Sequence, residues 1–318
     1  MPETSVQFRN DDTASVYCTE GVRLSRRGRH EDGLRWVERA LSADPFYARA
    51  WASKGFMLGK MGQYDEEIEA CDRALAINPD LLDAWLNKAF ALGHLHRFEE
   101  KIDCCDRAIL INPGFAPAWN AKGHALGKLG FYEEELKCCE IAVALRPRYI
   151  SAWVNRGFAL LKCKQYGMAI HSFTQSLNYY PGYISAWIQM GIAHCEAGSD
   201  KEALACFEKA ESLAPENTGV WYWKGLVLSR LGLHADAAPY LEKFTGINPR
   251  NAEAWILLSN CNFMLGRLDE SMRSFLVAYD IDKQDIGSCL SQSVARAKEK
   301  NFDDSLRLLS QAFGILLR

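Results

Sequence analysis

Histidine, cysteine and acidic side chains could perform catalysis or bind a metal, but none is spaced here as such a site requires. Of the seven histidines, His94, His96 and His124 come closest to a cluster, yet no Asp, Glu or Cys is clearly placed to complete a ligand set. The sequence contains no Gly-rich phosphate loop after a strand, no GxSxG, no HExxH and no paired CxxC. Nothing pairs a nucleophile with a base at a recognisable spacing. We therefore predict no enzyme activity, no catalytic residue, no metal site and no cofactor.

The eleven cysteines are placed as packing residues. Cys71, Cys105 and Cys139 follow one another at 34-residue steps, in the position that Phe173 and Phe207 hold further along. Free cysteine packs like a small apolar side chain, so we expect buried, reduced thiols. Because disulfides are rare in the cytosol, this interpretation predicts a cytoplasmic protein.

Charge and hydropathy exclude some classes of partner. The formal net charge of -3 and the pI of about 6.2 give no general attraction to nucleic acid or to an anionic membrane. No apolar run is long enough to span a bilayer. The opening residues have no signal-peptide core, and we expect residues 1–13 to form a flexible lead-in.

Two residue types repeat at a fixed step of 34 along most of the chain. Trp and Pro keep this step at Trp51, Trp85, Trp119, Trp153, Trp187, Trp221 and Trp255, and at Pro45, Pro79, Pro113, Pro147, Pro181, Pro215 and Pro249. Such a period is typical of a solenoid built from one repeated unit. Within a unit, Gly62 is expected to end a first helix and Pro79 a second. Each unit is thus predicted to be two antiparallel helices.

Aligned on Trp, the predicted units share one set of boundaries. They are residues 14–47, 48–81, 82–115, 116–149, 150–183, 184–217, 218–251 and 252–285, with a degenerate ninth unit or cap at 286–318. Small residues such as Gly55 and Ala74 are expected where helices touch. We expect the Trp side chains to fill the larger gaps as buried core.

These units resemble the tetratricopeptide repeat family. The resemblance rests on Trp51, Gly55, Leu58, Gly62, Tyr64, Ala74 and Pro79, and again on Trp119, Gly123, Leu126, Gly130, Tyr132, Ala142 and Pro147. It implies an all-α fold, a right-handed superhelical α-solenoid of stacked antiparallel helix pairs. It also implies that the first helices line a concave groove, which binds an extended peptide or a helix.

The resemblance places a mixture of apolar and amide side chains in that groove. The candidate partner-binding residues are Phe56, Asn87, Phe90, Asn120, His124, Asn155, Phe158, Gln189, Ile192, Tyr222, Trp223 and Leu226. Apolar side chains would anchor a partner, and the amides would bind its backbone.

Cations recur beside these positions in two rows. The candidate basic rim is Lys60, Lys128, Lys162 and Arg230. The second row, whose role the sequence leaves open, is Lys54, Lys88, Lys122, Arg156 and Lys224. Long stems packed beside Trp with the charge in solvent would suit this second row.

We predict a non-enzymatic scaffold that binds a protein or peptide in the groove, without nucleic acid or membrane insertion. One alternative is a structural protein that forms homo-oligomers through the apolar C-terminal helix near 303–316. Another is the regulatory adaptor arm of a larger enzyme complex. A clamp for acidic chaperone tails is disfavoured, since the nearest positions hold the amide but not the cations.

Overall fold

The computed structural model describes the backbone of residues 4–281 and the side chains of residues 13–281. The chain divides into two compact units, Met1–Tyr179 and Tyr180–Arg318, here termed the N-terminal and C-terminal units. Over the described range every regular element is an α-helix. The all-α repeat solenoid predicted from the sequence is confirmed.

In the N-terminal unit, odd-numbered helices are the first and even-numbered helices the second of each repeat. Its helices are α1 (Thr4–Ser25), α2 (His30–Ala43), α3 (Ala48–Lys60), α4 (Tyr64–Ile77), α5 (Leu82–His94), α6 (Phe98–Ile111), α7 (Ala116–Lys128), α8 (Tyr132–Leu145), α9 (Ile150–Lys162) and α10 (Tyr166–Tyr179). Each first helix packs on the second helix of its own repeat, and within this unit α1 contacts α3, α3 contacts α5, α5 contacts α7 and α7 contacts α9. The first helices α1, α3, α5, α7 and α9 therefore lie side by side.

The C-terminal unit continues the same alternation. Its described helices are α11 (Ile184–Glu196), α12 (Asp200–Leu213), α13 (Thr218–Arg230), α14 (His234–Ile247), α15 (Ala252–Met264) and α16 (Leu268–Ile281). Within this unit α11 contacts α13, and α13 contacts α15. The predicted ninth repeat at 286–318 lies outside the described residues.

The first helix begins earlier than the sequence suggested. We expected residues 1–13 to precede the helical repeats, whereas α1 starts at Thr4. Between Pro2 and Gly21 the sequence contains neither Pro nor Gly. Nothing in that stretch interrupts a helix, so α1 extends through it.

A left-handed residue ends each of the first helices α1 to α15. Six of these residues are glycines with φ between 73° and 87°, but His96 and Lys164 hold the same position with φ of 58° and 59°. At Gly62 the chain closes as predicted: Gly62 donates its N–H to Gly59 O and Gln63 donates to Leu58 O. Both bonds satisfy carbonyls that the helix end would leave unpaired.

A hydrogen bond links each repeating Trp to the repeating Pro that precedes it. All seven repeating indole N–H groups donate to the carbonyl of the Pro six residues earlier, at 2.8 to 3.0 Å. Only Trp221, at 7% exposure, is buried, and the other six indoles are half-buried. All seven rings pack against the core as expected, but six are less buried than expected, because each keeps its polar edge at the turn between repeats.

Small residues stand where the helices of a repeat approach each other, as predicted. A Cβ added to Gly55 would lie 2.9 Å from Cys71 Sγ, and one added to Gly157 would lie 2.6 Å from Phe173. Cys71 and Phe173 are both fully buried. Burial raises the pKa of the Cys105 thiol to about 12, so the repeating cysteines are protonated packing residues.

Candidate partner-binding face

Four equivalent side chains form a line across the first helices of the N-terminal unit. Phe56 on α3, Phe90 on α5, His124 on α7 and Phe158 on α9 are 34 residues apart and are here termed the aromatic row. Phe56 is 41% and Phe90 50% exposed, while His124 and Phe158 are half-buried. Two large exposed rings at equivalent places form an apolar surface that a soluble helix does not need for its own packing.

Ammonium groups accompany the Phe rings of the row. Lys60 Nζ lies 5.2 Å from the Phe56 ring centroid, and Lys162 Nζ lies 5.4 Å from that of Phe158. Both distances suit a cation–π contact. Lys60, Lys162 and the equivalent Lys128 are exposed. Among the described side chains none of the three has a carboxylate partner.

The other row of cations on the same helices is fully paired. The pairs are Lys54–Glu38 at 3.0 Å, Lys88–Asp72 at 2.6 Å, Lys122–Asp106 at 2.5 Å, Arg156–Glu140 at 3.3 Å and Lys224–Glu211 at 2.6 Å. In the first four, the carboxylate comes from the preceding second helix, sixteen residues earlier. The suggested packing beside Trp is seen for Lys54 and Arg156, which lie 5.7 and 5.8 Å from the Trp51 and Trp153 ring centroids. Their charges are not left in solvent but pair with carboxylates of the preceding repeat. The first four acidic residues repeat at 34-residue steps, a signal that could have been found in the sequence.

The predicted groove amides also bridge consecutive first helices. Asn87 Nδ2 donates to Ala52 O at 3.2 Å, and Asn155 Nδ2 donates to Asn120 Oδ1 at 3.0 Å. Asn120 is only 9% exposed. These amide groups therefore already make hydrogen bonds inside the chain, and an incoming backbone would meet them partly satisfied.

Three buried ionisable residues lie next to the first helices, where sequence reasoning had placed nothing. Glu67, Lys101 and Glu135 are 4%, 4% and 3% exposed and lie at equivalent positions in the first turn of α4, α6 and α8. Ala occupies the same position at 169, 203 and 237. Glycines make room for them: a Cβ on Gly127 would collide with the Glu135 carboxyl.

Burial controls the protonation of this set. It raises the pKa of Glu67 and of Glu135 to about 8, because the charged form loses its water. Lys101 Nζ lies 3.2 Å from His124 Nδ1. Burial and the Lys101 charge lower the pKa of His124 to about 4, so at neutral pH the ring is uncharged and accepts this hydrogen bond. Glu135 Oε2 has no hydrogen-bond partner among the described residues.

A cavity of about 300 Å³ opens on the same face between α1, α3 and α5. Phe56, Met57 and Val22 supply its apolar wall, and Arg26 and Arg49 lie at its polar side, together with Asp83, Ser53 and Asn87. In the described part of the chain neither arginine forms an ion pair. The cavity joins the first member of the aromatic row to two available cations.

The candidates in the C-terminal unit are engaged in its own packing. Tyr222 donates its hydroxyl to Glu253 Oε2 at 3.1 Å, and Trp223 stacks on Phe207 with ring centroids 6.3 Å apart. Gln189, Ile192 and Leu226 are half-buried. Arg230, placed in the basic rim, is paired with Asp200 at 3.1 Å. Among the candidate residues, the two exposed rings, Phe56 and Phe90, and the rim lysines without an ion pair thus belong to the N-terminal unit.

Two further properties bear on the kind of site. No helix in the described range combines the length and apolar character needed to cross a membrane. Over the same residues, His, Cys, Asp and Glu side chains form no group of three that could hold a metal ion.

Comparison with known proteins identifies the repeat. The tetratricopeptide repeat family matches residues 18–81, 188–248 and 228–286 with one model and residues 150–183 with another, and the first model alone covers half of the chain. The protein prenyltransferase alpha subunit repeat matches residues 132–163. No curated protein matches the chain significantly.

Several solved structures share the fold at low identity. PilF of Pseudomonas aeruginosa is 16% identical with a TM-score of 0.60, over 66% of this chain and 96% of that chain. PilW, a type IV pilus biogenesis factor, is 19% identical with a TM-score of 0.60, over 65% and 96%. The Cut9–Hcn1 hetero-tetramer of the APC/C matches at 14% identity and a TM-score of 0.62, over 98% of this chain but only 60% of that chain.

Proposed function

Because the chain belongs to the tetratricopeptide repeat family, whose members are protein-interaction scaffolds, we propose that it binds a peptide or helix of a partner protein through its N-terminal unit. The binding surface is the first-helix face, formed by α3, α5, α7 and α9 with the adjoining cavity. The observation that supports this most directly is the exposure of Phe56 and Phe90, with the Lys60 ammonium, which has no ion pair among the described side chains, beside Phe56. Burying those two rings would provide most of the binding energy.

A paired substitution tests this function. The variant Phe56→Glu/Phe90→Glu should lose the native partner in affinity capture, because it places two charges where apolar contact is needed. The matched control is Phe46→Glu/Phe131→Glu, since Phe46 is 78% and Phe131 54% exposed but neither lies on the first-helix face. Circular dichroism should show both variants folded. Partners retained equally by the two variants would exclude the first-helix face as the binding surface.

We also propose that the protein has no catalytic activity of its own and works in a reducing, cytoplasmic compartment. The support for the compartment is the set of ten described cysteines, all of them unpaired and nine of them buried. The same capture experiment identifies whether the partner is an enzyme, as the adaptor-arm alternative requires.

Self-association is a second candidate function, favoured by one observation in the C-terminal unit. Leu268, Met272 and Leu276 on α16 are 63%, 59% and 52% exposed and follow one another at four-residue steps. Such a stripe lies on one side of a helix. Light scattering of the full chain tests it: a monomer at high concentration would exclude self-assembly, and a Met272→Glu/Leu276→Glu variant should dissociate any oligomer.

A further inference from the structure

We propose that the segment bound on the first-helix face is an extended acidic peptide that carries an apolar side chain at every third residue. This inference rests on the proposed function and specifies the chemistry of the partner. It draws on the spacing of the aromatic row, the unpaired cations beside it and the internal use of the groove amides.

Spacing is the first argument. Consecutive first helices are in contact from α3 to α9, and packed helices lie roughly 8–10 Å apart. The members of the aromatic row are therefore separated by about that distance. An extended chain in the polyproline II conformation advances about 9 Å in three residues. Every third side chain of such a peptide would meet the next ring of the row.

Charge is the second argument. Lys60, Lys128 and Lys162 follow Phe56, His124 and Phe158 by four residues on the same helices, a shift of about 6 Å along each helix axis. Their counterparts in the other row each have a carboxylate partner, whereas these three have none among the described side chains. Arg26 and Arg49 extend the unpaired cations to the cavity. A partner with carboxylates beside the apolar residues that meet Phe56, His124 and Phe158 complements this pattern.

The internal hydrogen bonds favour a bound segment whose backbone needs few hydrogen bonds from the first-helix face. The Asn87 and Asn155 amide N–H groups already have acceptors within the chain. A β-strand partner requires a row of backbone donors and acceptors, whereas a polyproline II backbone stays solvated. The cavity of about 300 Å³ beside Phe56 suits one side chain rather than a whole helix.

Synthetic probes test the pattern directly. The probe is a fluorescein-labelled peptide with four repeats of Leu-Glu-Pro, compared by anisotropy with four repeats of Leu-Lys-Pro. A third peptide has the composition of the first but spaces its Leu residues irregularly. We expect the periodic acidic probe to bind at least about tenfold more tightly than either comparison peptide. Its affinity should fall as salt is raised, because exposed charges are screened.

Variants of the protein test whether the preference for an acidic peptide comes from Lys60 and Lys162. Lys60→Glu/Lys162→Glu should weaken binding of the Leu-Glu-Pro probe about tenfold or more, by converting two attractions into repulsions. The control Lys137→Glu/Arg148→Glu changes two exposed cations on α8 and the following turn, and it should leave the affinity within about twofold.

Three results would overturn the inference. They are equal binding of the irregular peptide, equal binding of the Leu-Lys-Pro peptide, or no effect of Lys60→Glu/Lys162→Glu. Preference for a helical peptide with Leu at every seventh residue over the Pro-containing probe would also contradict it. The proposed function fails separately, through retained capture of the native partner by Phe56→Glu/Phe90→Glu.

Discussion

Replacing Glu135 with Gln should remove a pH-dependent loss of stability from the N-terminal unit. Glu135 is 3% exposed, one of its oxygens has no hydrogen-bond partner in the described structure, and burial raises its pKa from 4.5 to about 8. Below about pH 4 the carboxyl is protonated whether the chain is folded or not, and it imposes no electrostatic cost. As pH rises towards 8, the unfolded chain releases the proton while the folded chain retains it. Stability therefore declines across this range and is lowest above pH 8.

The size of the decline follows from the two pKa values. One pKa unit corresponds to ~1.4 kcal/mol, so the gap between 4.5 and about 8 sets an upper limit of ~5 kcal/mol. Attraction from the Lys128 ammonium and entry of water around the ionised group reduce this cost. We expect a measured loss of ~1 to 4 kcal/mol between pH 5 and pH 9. Gln has the same shape and no titrating proton, so the Glu135→Gln variant should lack the share of the decline that Glu135 causes, while Glu67 titrates in both proteins.

Urea unfolding at a series of pH values provides the measurement. Wild type and Glu135→Gln are followed by circular dichroism and by Trp fluorescence, and their free energies of unfolding are subtracted at each pH. Subtraction removes the contributions of groups common to both chains. The control is Glu134→Gln, an exposed residue on the same turn of α8. A difference between wild type and Glu135→Gln that stays constant from pH 5 to pH 9 would refute the assignment of Glu135 as a buried carboxyl.

Three other substitutions test the repeat itself by the same unfolding assay. Lys164→Gly should raise stability by ~0.5–1 kcal/mol, because φ of 59° is costly for any residue with a Cβ; a loss would show that the Lys side chain outweighs this cost. Trp119→Phe should lower stability by ~1 kcal/mol or more, since it removes the hydrogen bond to Pro113 O, and an unchanged value would contradict a structural role for that bond. A double-mutant cycle of Lys88→Met and Asp72→Asn should give a coupling of ~0.2–1 kcal/mol that vanishes in high salt; zero coupling at low salt would argue against the pair.

Most of the architecture could be predicted because the repeat imposes it at many places at once. Gly62 and Pro79 mark helix ends by their own backbone preferences, which need no tertiary information. The same reasoning did not foresee that α1 would begin before residue 14, at Thr4, since no Gly or Pro between Pro2 and Gly21 interrupts a helix. It also overestimated the burial of Trp85, because periodicity shows that a residue is required but not which of its edges faces solvent.

The residues of the candidate site could be predicted only in part from the sequence. Phe56 and Phe90 were assigned to the partner-binding surface from their place in the repeat, and the structure shows both rings exposed. Whether that surface binds a partner stays a prediction. Asn87 and Asn155 were assigned to a partner's backbone, yet they donate to the neighbouring repeat. An amide at a repeating position can donate either to a bound partner or to the neighbouring repeat. The sequence does not show how closely the next helix approaches.

The sequence by itself determined a solenoid of helix pairs, because a step of 34 residues repeats every packing and turn requirement along the chain. Only the tertiary structure decided which side chains remain available. Lys54 and Lys60 occupy the same helix and have the same chemistry, but of the two only Lys54 forms an ion pair, with Glu38 on the preceding helix. Ion pairing depends on distances between helices, and these are set by how whole repeats stack. That stacking leaves Lys60 beside the exposed Phe56 ring and without an ion-pair partner among the described residues, where another protein could reach it.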